Sequence, residues 1–181
     1  MDIRTYLKMY LKLPFLKGKI VTERTEDVFD YNYSKLQRDG VRIVIFDMDD
    51  TLTDYLGEIP ERSHKLFVSL KRRGIKSAVF SNSKQERTEQ LTKILNPISV
   101  YNVLRSDKPH KAGYDEILKH TGLKPWQAAV FGDKVGSDML GAFNAKIKHR
   151  VLVEPFSEVF GGRRHPIYER KLRCFEKALF L

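Results

Sequence analysis

The sequence predicts a three-layer α/β sandwich: a central, mostly parallel sheet of about five strands with helices on both faces. Two observations predict it. Short apolar runs alternate with amphipathic helical stretches along most of the chain, and such alternation means repeated right-handed crossovers between parallel strands. The first run, VRIVIF at 41–46, is a β-branched stretch of the kind buried on both faces of a sheet.

The elements follow in order from that first strand. ERSHKLFVSLKRRG carries Leu66, Phe67 and Leu70 at helical spacing, with Gly74 placed to stop the helix. IKSAVFSNS reads as a second strand, QERTEQLTKIL as a second helix and SVYNVL as a third strand. KAGYDEILKHTG is a helix with Gly122 at its C-terminal cap; AAVFGD, GSDMLGAFNAK and HRVLVEP follow as strand, helix and fifth strand. The chain thus divides into an amphipathic N-terminal helix and lead-in (1–40), a catalytic-type α/β core (41–155) and a basic helical tail (156–181).

A chain of 181 residues makes one domain with a real core, and 41% apolar with 31% charged residues describes an ordered globule. The single cysteine, Cys174, forms no internal disulfide and no Cys/His set has zinc-ligand spacing, which suits a cytoplasmic or other reducing interior. No run approaches the ~18 apolar residues of a membrane span, and the N-terminus lacks a secretory pattern. The net charge of +10 is concentrated at the ends: +4 over residues 1–20 and +5 over 141–181.

In parallel sheets of this kind ligands bind beyond the C-terminal strand ends. The residues there are Asp47 and Asp49 after the first strand, Ser81 and Asn82 after the second, and Asp133 with Asp138 after the fourth, while Lys108 precedes the helix at 111–122. Two acid clusters, an alcohol and a cation are the parts that phosphate-ester cleavage needs. A carboxylate can attack phosphorus and split one hard step into two. Asp47 and Asp133 can offer oxygens to Mg²⁺, a cation usually held by one or two carboxylates, with Asp138 completing the shell or holding a water. Asp49 lies two residues beyond Asp47, on the same side of an extended segment, and suits proton transfer. Ser81 can hydrogen-bond the phosphate, and Lys108 can balance its charge while linking to Asp47.

On these residues the sequence resembles the haloacid dehalogenase superfamily of phosphotransferases. DMDDT is similar to its first motif, SNS to its second, Lys108 followed by Pro to its third and GDKVGSD to its fourth, in the family's order, at separations of 34, 27 and 25 residues from Asp47 through Ser81 and Lys108 to Asp133. The resemblance implies a Rossmann-like core in which Asp47 is the nucleophile and Asp49 the acid/base. It implies that Thr51, Ser81, Asn82 and Lys108 hold the phosphate, and that Asp47, Asp133, Asp138 and the Asp49 backbone carbonyl hold Mg²⁺. A calcium-loop reading of Asp47, Asp49, Thr51 and Glu58 fails because Leu52 stands where that loop needs glycine and a strand precedes it.

The gaps after Thr51 and after Ser83 hold little more than one helix, and one helix with a strand, so no cap domain fits. Blocks such as SKLQRDGVRIVIFDMDDTL and FSNSKQER are similar to an uncapped IIIA-type group that includes the bacterial YqeG phosphatases and phosphatidylglycerophosphate phosphatases. Asp50, Ser83 and Lys134 stand where that group often has other residues. The group implies a phosphorylated substrate, with a lipid-linked phosphate favoured. A soluble sugar or metabolite phosphate enclosed by oligomerisation is the alternative, and a non-catalytic basic binding module a third reading; nucleic acid is disfavoured because no aromatic and basic stacking platform is evident.

The ends bear on this choice. Arg4, Lys8 and Lys12 form one stripe of an N-terminal helix, with Ile3, Tyr6, Leu7, Tyr10 and Leu11 on its other side, and YERKLRCFEKALF is similarly basic and apolar. Such helices can lie on an anionic membrane surface or pack on the domain with their cations in water. Asp50 and Asp54 are expected to face water, as are His64, His110 and His120, and Trp126 is expected to pack.

Overall fold

The computed structural model describes residues 16, 18–82, 101–103 and 108–180, with backbone alone at 101–103 and 179–180. The expected N-terminal helix, the helix over QERTEQLTKIL and Ser83 lie outside these residues.

Among the described residues the sheet has six strands, all parallel, in the order β1-β6-β5-β2-β3-β4: β1 Glu23–Thr25, β2 Ile43–Phe46, β3 Lys76–Phe80, β4 Tyr101–Val103, β5 Ala128–Gly132 and β6 His149–Val153. Five of them are the strands expected from the sequence. The sixth, β1, belongs to the lead-in and pairs with the edge of β6. Its sequence, ERT, is too short and polar to show a strand period.

The helices are α1 Tyr33–Arg38, α2 Glu61–Arg72, α3 Ala112–Thr121, α4 Leu140–Asn144, α5 Phe156–Val159 and α6 Ile167–Phe180. Alternate residues of β2 separate the two layers. Ile43 and Ile45 join Tyr114 and Ile117 of α3 and Leu140 of α4 in one buried cluster. Val44 and Phe46 join Leu66, Phe67 and Leu70 of α2 and Leu36 of α1 in the other. Each face of the central strand is therefore sealed by helices, as its uninterrupted apolar run requires.

Helix α3 ends at Gly122, whose φ of 69° provides the left-handed cap. The helix expected over 136–146 begins instead with a wide π-type turn, Val135–Met139, before the regular α4. Trp126 corrects an expectation: its side chain is 60% exposed rather than packed, because the 3-10 turn Pro125–Gln127 holds it outside the strand it precedes.

Among the described residues no helix is long and apolar enough to cross a membrane.

One contact in the core sets a sign. Alanine in a helix normally outdoes glycine by ~0.5–1 kcal/mol, yet a Cβ on Gly113 would lie 2.4 Å from Cζ of the buried Phe80 ring. Overpacking costs ~1–3 kcal/mol, so Gly113→Ala should lower stability in urea unfolding; a gain would contradict this packing.

Candidate active site

The register of the sheet brings the chemical residues level. Phe46 lies opposite both Val79 and Phe131, so Asp47, Ser81 and Asp133 emerge from three adjacent strands within one residue step of each other. The Asp47 amide extends the ladder by donating to the Phe131 carbonyl at 2.8 Å. Met48 then turns into the core, and its carbonyl accepts from the amides of Thr51, Leu52 and Thr53. This tight turn ends the strand alternation after Asp47.

Lys108 lies at the centre. Its ammonium donates to Asp47 Oδ1 at 2.5 Å, Asp138 Oδ1 at 2.6 Å and the Phe80 carbonyl at 3.0 Å. Burial alone would lower its pKa; Asp138 and Asp47 outweigh that and raise it, so the charge is retained. Asn82 fixes the approach of this residue, since its Oδ1 accepts from the Lys108 amide at 3.0 Å.

Ligand oxygens of Asp47, Asp133 and Asp138 all lie within 4.8 Å of one another. Burial pushes the pKa of Asp133 well up, opposed by Lys134 and Arg173, and burial together with Asp47 raises that of Asp138 against Lys108. Both oxygens of Asp138 have protein donors, the Lys108 ammonium and the Lys134 amide. Asp133 Oδ1 is buried with no hydrogen-bond partner among the described residues. An aspartate with one orphaned oxygen, grouped with two further carboxylates, fits a divalent cation, which would satisfy the orphan and offset the crowded negative charge.

Of the other expected residues, Asn82 contacts Lys108 and lines the cavity beside it. Asp49 is half-buried, and its Oδ1 accepts from the Leu56 amide at 3.0 Å, which orients the carboxyl. Thr51 is buried with its Oγ1 without a hydrogen-bond partner among the described residues, and Ser81 is buried at the end of β3. Asn82 is exposed.

Asp50 is a correction. It is 0% exposed rather than in water, with φ of 60°, and its Oδ1 accepts from the Ser157 amide while its Oδ2 accepts from Arg173 at 3.0 Å. A left-handed residue in a turn reverses the direction that strand alternation would give it, and aspartate tolerates that conformation. Asp54 is also engaged: it is half-buried and its Oδ2 accepts from the Arg163 amide at 2.6 Å.

Several residues of the site had no role in the sequence reading. Lys134 pairs with Glu169 at 3.0 Å, and His165 sits 2.8 Å from Glu169 and 3.5 Å from Asp50, neither contact with hydrogen-bond geometry. Arg173 donates to Asp133 Oδ2 at 2.5 Å as well as to Asp50. A second trio, Asp50, Asp133 and His165, also brings ligand atoms together, but the Arg173 guanidinium already bridges its two carboxylates. A cavity of about 300 Å³ opens beside Lys108 and is walled by Asn82, Lys134, Ser137, Tyr168 and Arg173. The only sequence signal for the C-terminal contribution is the spacing of Glu169, Arg173 and Glu176, which share one helical face.

These strand ends, with their buried acids around a lysine in a parallel α/β sheet, define a phosphoryl-processing enzyme. The chain belongs to the haloacid dehalogenase-like hydrolase family, whose model matches residues 58–152, a span that includes Ser81, Lys108, Asp133 and Asp138 and begins beyond Asp47. It is similar to the probable phosphatase YqeG of Bacillus subtilis (strain 168), with 27% identity over 154 residues, 83% of this chain and 84% of that protein. Its fold resembles the cobalt-bound deoxy-D-mannose-octulosonate 8-phosphate phosphatase YrbI of Haemophilus influenzae, at a TM-score of 0.51 and 19% identity over 80% of this chain and 91% of that one. An uncharacterized protein from Corynebacterium glutamicum is similar to the same degree, with a TM-score of 0.51 and 17% identity over 78% of this chain and 96% of that one. The protein is a phosphatase of this family, a phosphomonoester hydrolase.

Burial lowers the pKa of His165 to about 4, with Lys134 adding to the shift and Glu169 opposing it. The unfolded chain binds this proton near ~6.5 and the native protein does not until about 4. More protons on the unfolded side mean that this group costs stability as pH falls through that window. His165→Phe keeps a ring against Tyr55, Asp50 and Glu169 while removing the titration. The stability difference, variant minus wild type, should rise between about pH 6.5 and pH 4; a constant difference would contradict the burial assignment.

Proposed function

We propose that the protein cleaves phosphomonoesters through a phosphoryl-aspartate on Asp47. The observation that carries this reading is the convergence of Asp47, Asp133 and Asp138 on the Lys108 ammonium at the C-terminal ends of adjacent strands.

An oxygen of the Asp47 carboxylate attacks phosphorus, forming an Asp–O–P bond as the P–O bond to the alcohol breaks. The Asp49 carboxyl, oriented by the Leu56 amide, gives its proton to the departing alkoxide. It then takes a proton from the water that attacks the phosphoryl-aspartate, which releases phosphate and restores Asp47. Thr51 Oγ1, Ser81, the Asn82 amide and Lys108 hold the non-bridging oxygens, and Lys108 shifts part of its pairing from Asp47 to the incoming charge. Asp47, Asp133, Asp138 and the Asp49 carbonyl hold a divalent cation, Mg²⁺ by the hardness of the all-oxygen donor set. When bound, this cation offsets the repulsion between the attacking carboxylate and the phosphoryl oxygens.

The favoured substrate is a lipid-linked phosphate such as phosphatidylglycerophosphate. This is supported by the lack of an inserted domain between β2 and β3, where only α2 and loops lie, and by Ile167, Tyr168 and Phe175 exposed along α6 beside Lys171, a combination suited to an anionic interface. A small soluble phosphate ester is the second reading, favoured by the enclosure of the cavity to about 300 Å³.

A phosphate-release screen with Mg²⁺ over lipid, sugar and nucleotide phosphates tests both. Asp47→Asn should lose at least about 10³-fold in turnover, as removal of a nucleophile does; undiminished turnover would refute the nucleophile. Sugar phosphates turned over without any lipid phosphate activity would replace the first substrate with the second.

A further inference from the structure

The C-terminal helix α6 is stitched to the active site along one face. Glu169 pairs with Lys134, Arg173 donates to Asp50 and Asp133, and Glu176 accepts from the Gly136 amide at 3.1 Å. These positions are four and three residues apart, so they form a single stripe. A Cβ at Gly136 would displace the Glu176 carboxylate from this contact. Arg173 is 6% exposed and carries one guanidinium nitrogen to each of two carboxylates that come from different loops.

We propose that Arg173 is a positioning residue for the metal centre: by holding Asp133 Oδ2 against Asp50, it turns Asp133 Oδ1 toward the cation. The inference rests on the reading that Asp133 is a metal ligand. The geometry favours a positioning role over plain charge balance. Arg173 binds the oxygen opposite to the orphaned one, and Asp50 is itself fixed by the Ser157 amide through its other oxygen. The chain of contacts runs Ser157, Asp50, Arg173, Asp133, each link made by one oxygen or one nitrogen. A lysine cannot reproduce it, because a single ammonium lacks the planar fork that spans two carboxylates. Groups that support ligating carboxylates in this way commonly change metal affinity about 10–100-fold when removed.

Charge and position make opposite forecasts. A cation beside a metal site repels the metal, so if Arg173 only balances charge, Arg173→Gln should bind divalent cations more tightly and Arg173→Lys should bind them as wild type does. If Arg173 positions Asp133, both variants should bind more weakly.

The experiment is calorimetric titration of Mn²⁺ and Mg²⁺ into metal-free full-length protein. Wild type, Arg173→Lys, Arg173→Gln and Asp133→Asn are compared, with far-UV circular dichroism confirming the same helix content. The expected result is a Kd raised about 10–100-fold in both Arg173 variants, with a matching shift in the metal concentration that half-activates phosphate release. Affinity unchanged in Arg173→Lys and increased in Arg173→Gln would overturn the proposal. Wild-type affinity in Asp133→Asn would instead overturn the ligand assignment beneath it, so the two failures are distinguishable.

Discussion

The ammonium of Lys108, held between Asp47 at 2.5 Å and Asp138 at 2.6 Å, is the contact on which the site depends. Asp47, Asp133 and Asp138 lie at the rim of a sheet that excludes water, with their oxygens within 4.8 Å of one another. Burying a carboxylate costs several kcal/mol unless a partner offsets it. Burial first, and the neighbouring carboxylates after it, push the pKa values of Asp133 and Asp138 up, while Lys134, with Arg173 at Asp133 and Lys108 at Asp138, opposes the shift. Lys108, whose pKa is raised rather than lowered by this setting, stays charged and gives Asp47 and Asp138 a cation to pair with.

Everything around Lys108 serves to deliver it or to share its load. The parallel register brings three strand ends level, Asn82 anchors its backbone, and the Phe80 carbonyl takes the third ammonium proton. Arg173 performs the parallel task for Asp133 and Asp50 from the far side. The acids of the first motif loop are thus divided between two cations: Asp47 belongs to Lys108 and Asp50 to Arg173. Helix α6 brings Arg173 to Asp50 and Asp133, and Glu169 and Glu176 to Lys134 and the Gly136 amide.

The sequence made the centre legible and left its support hidden. Five strands could be read because their apolar runs are long enough to show a period, and the strand-end rule then named Asp47, Ser81 and Asp133 together, with Lys108 in the loop before the helix at 111–122. The edge strand β1 could not, since ERT has no period to read. Asp50 was misjudged because a left-handed turn follows Asp49, and alternation carries no information past such a turn. Arg173 looked like one more cation of a basic tail; only the tertiary approach of α6 to the Val135–Met139 turn shows that it is buried. Local pattern identifies residues that meet through the sheet, and says little about residues that meet because a remote helix folds back.

That Lys108 supplies the charge with which Asp47 and Asp138 pair in the buried site follows from its contacts with both. It is tested most directly by urea unfolding of Lys108→Met against wild type, with chelator present, at about pH 7.5 and about pH 5. Removing one partner of a buried ion pair typically costs ~3–5 kcal/mol, and this loss should appear at the higher pH and shrink at the lower, where protonation relieves the unpaired carboxylates. Equal stability of the two proteins at the higher pH, or a loss that does not change with pH, would contradict the account.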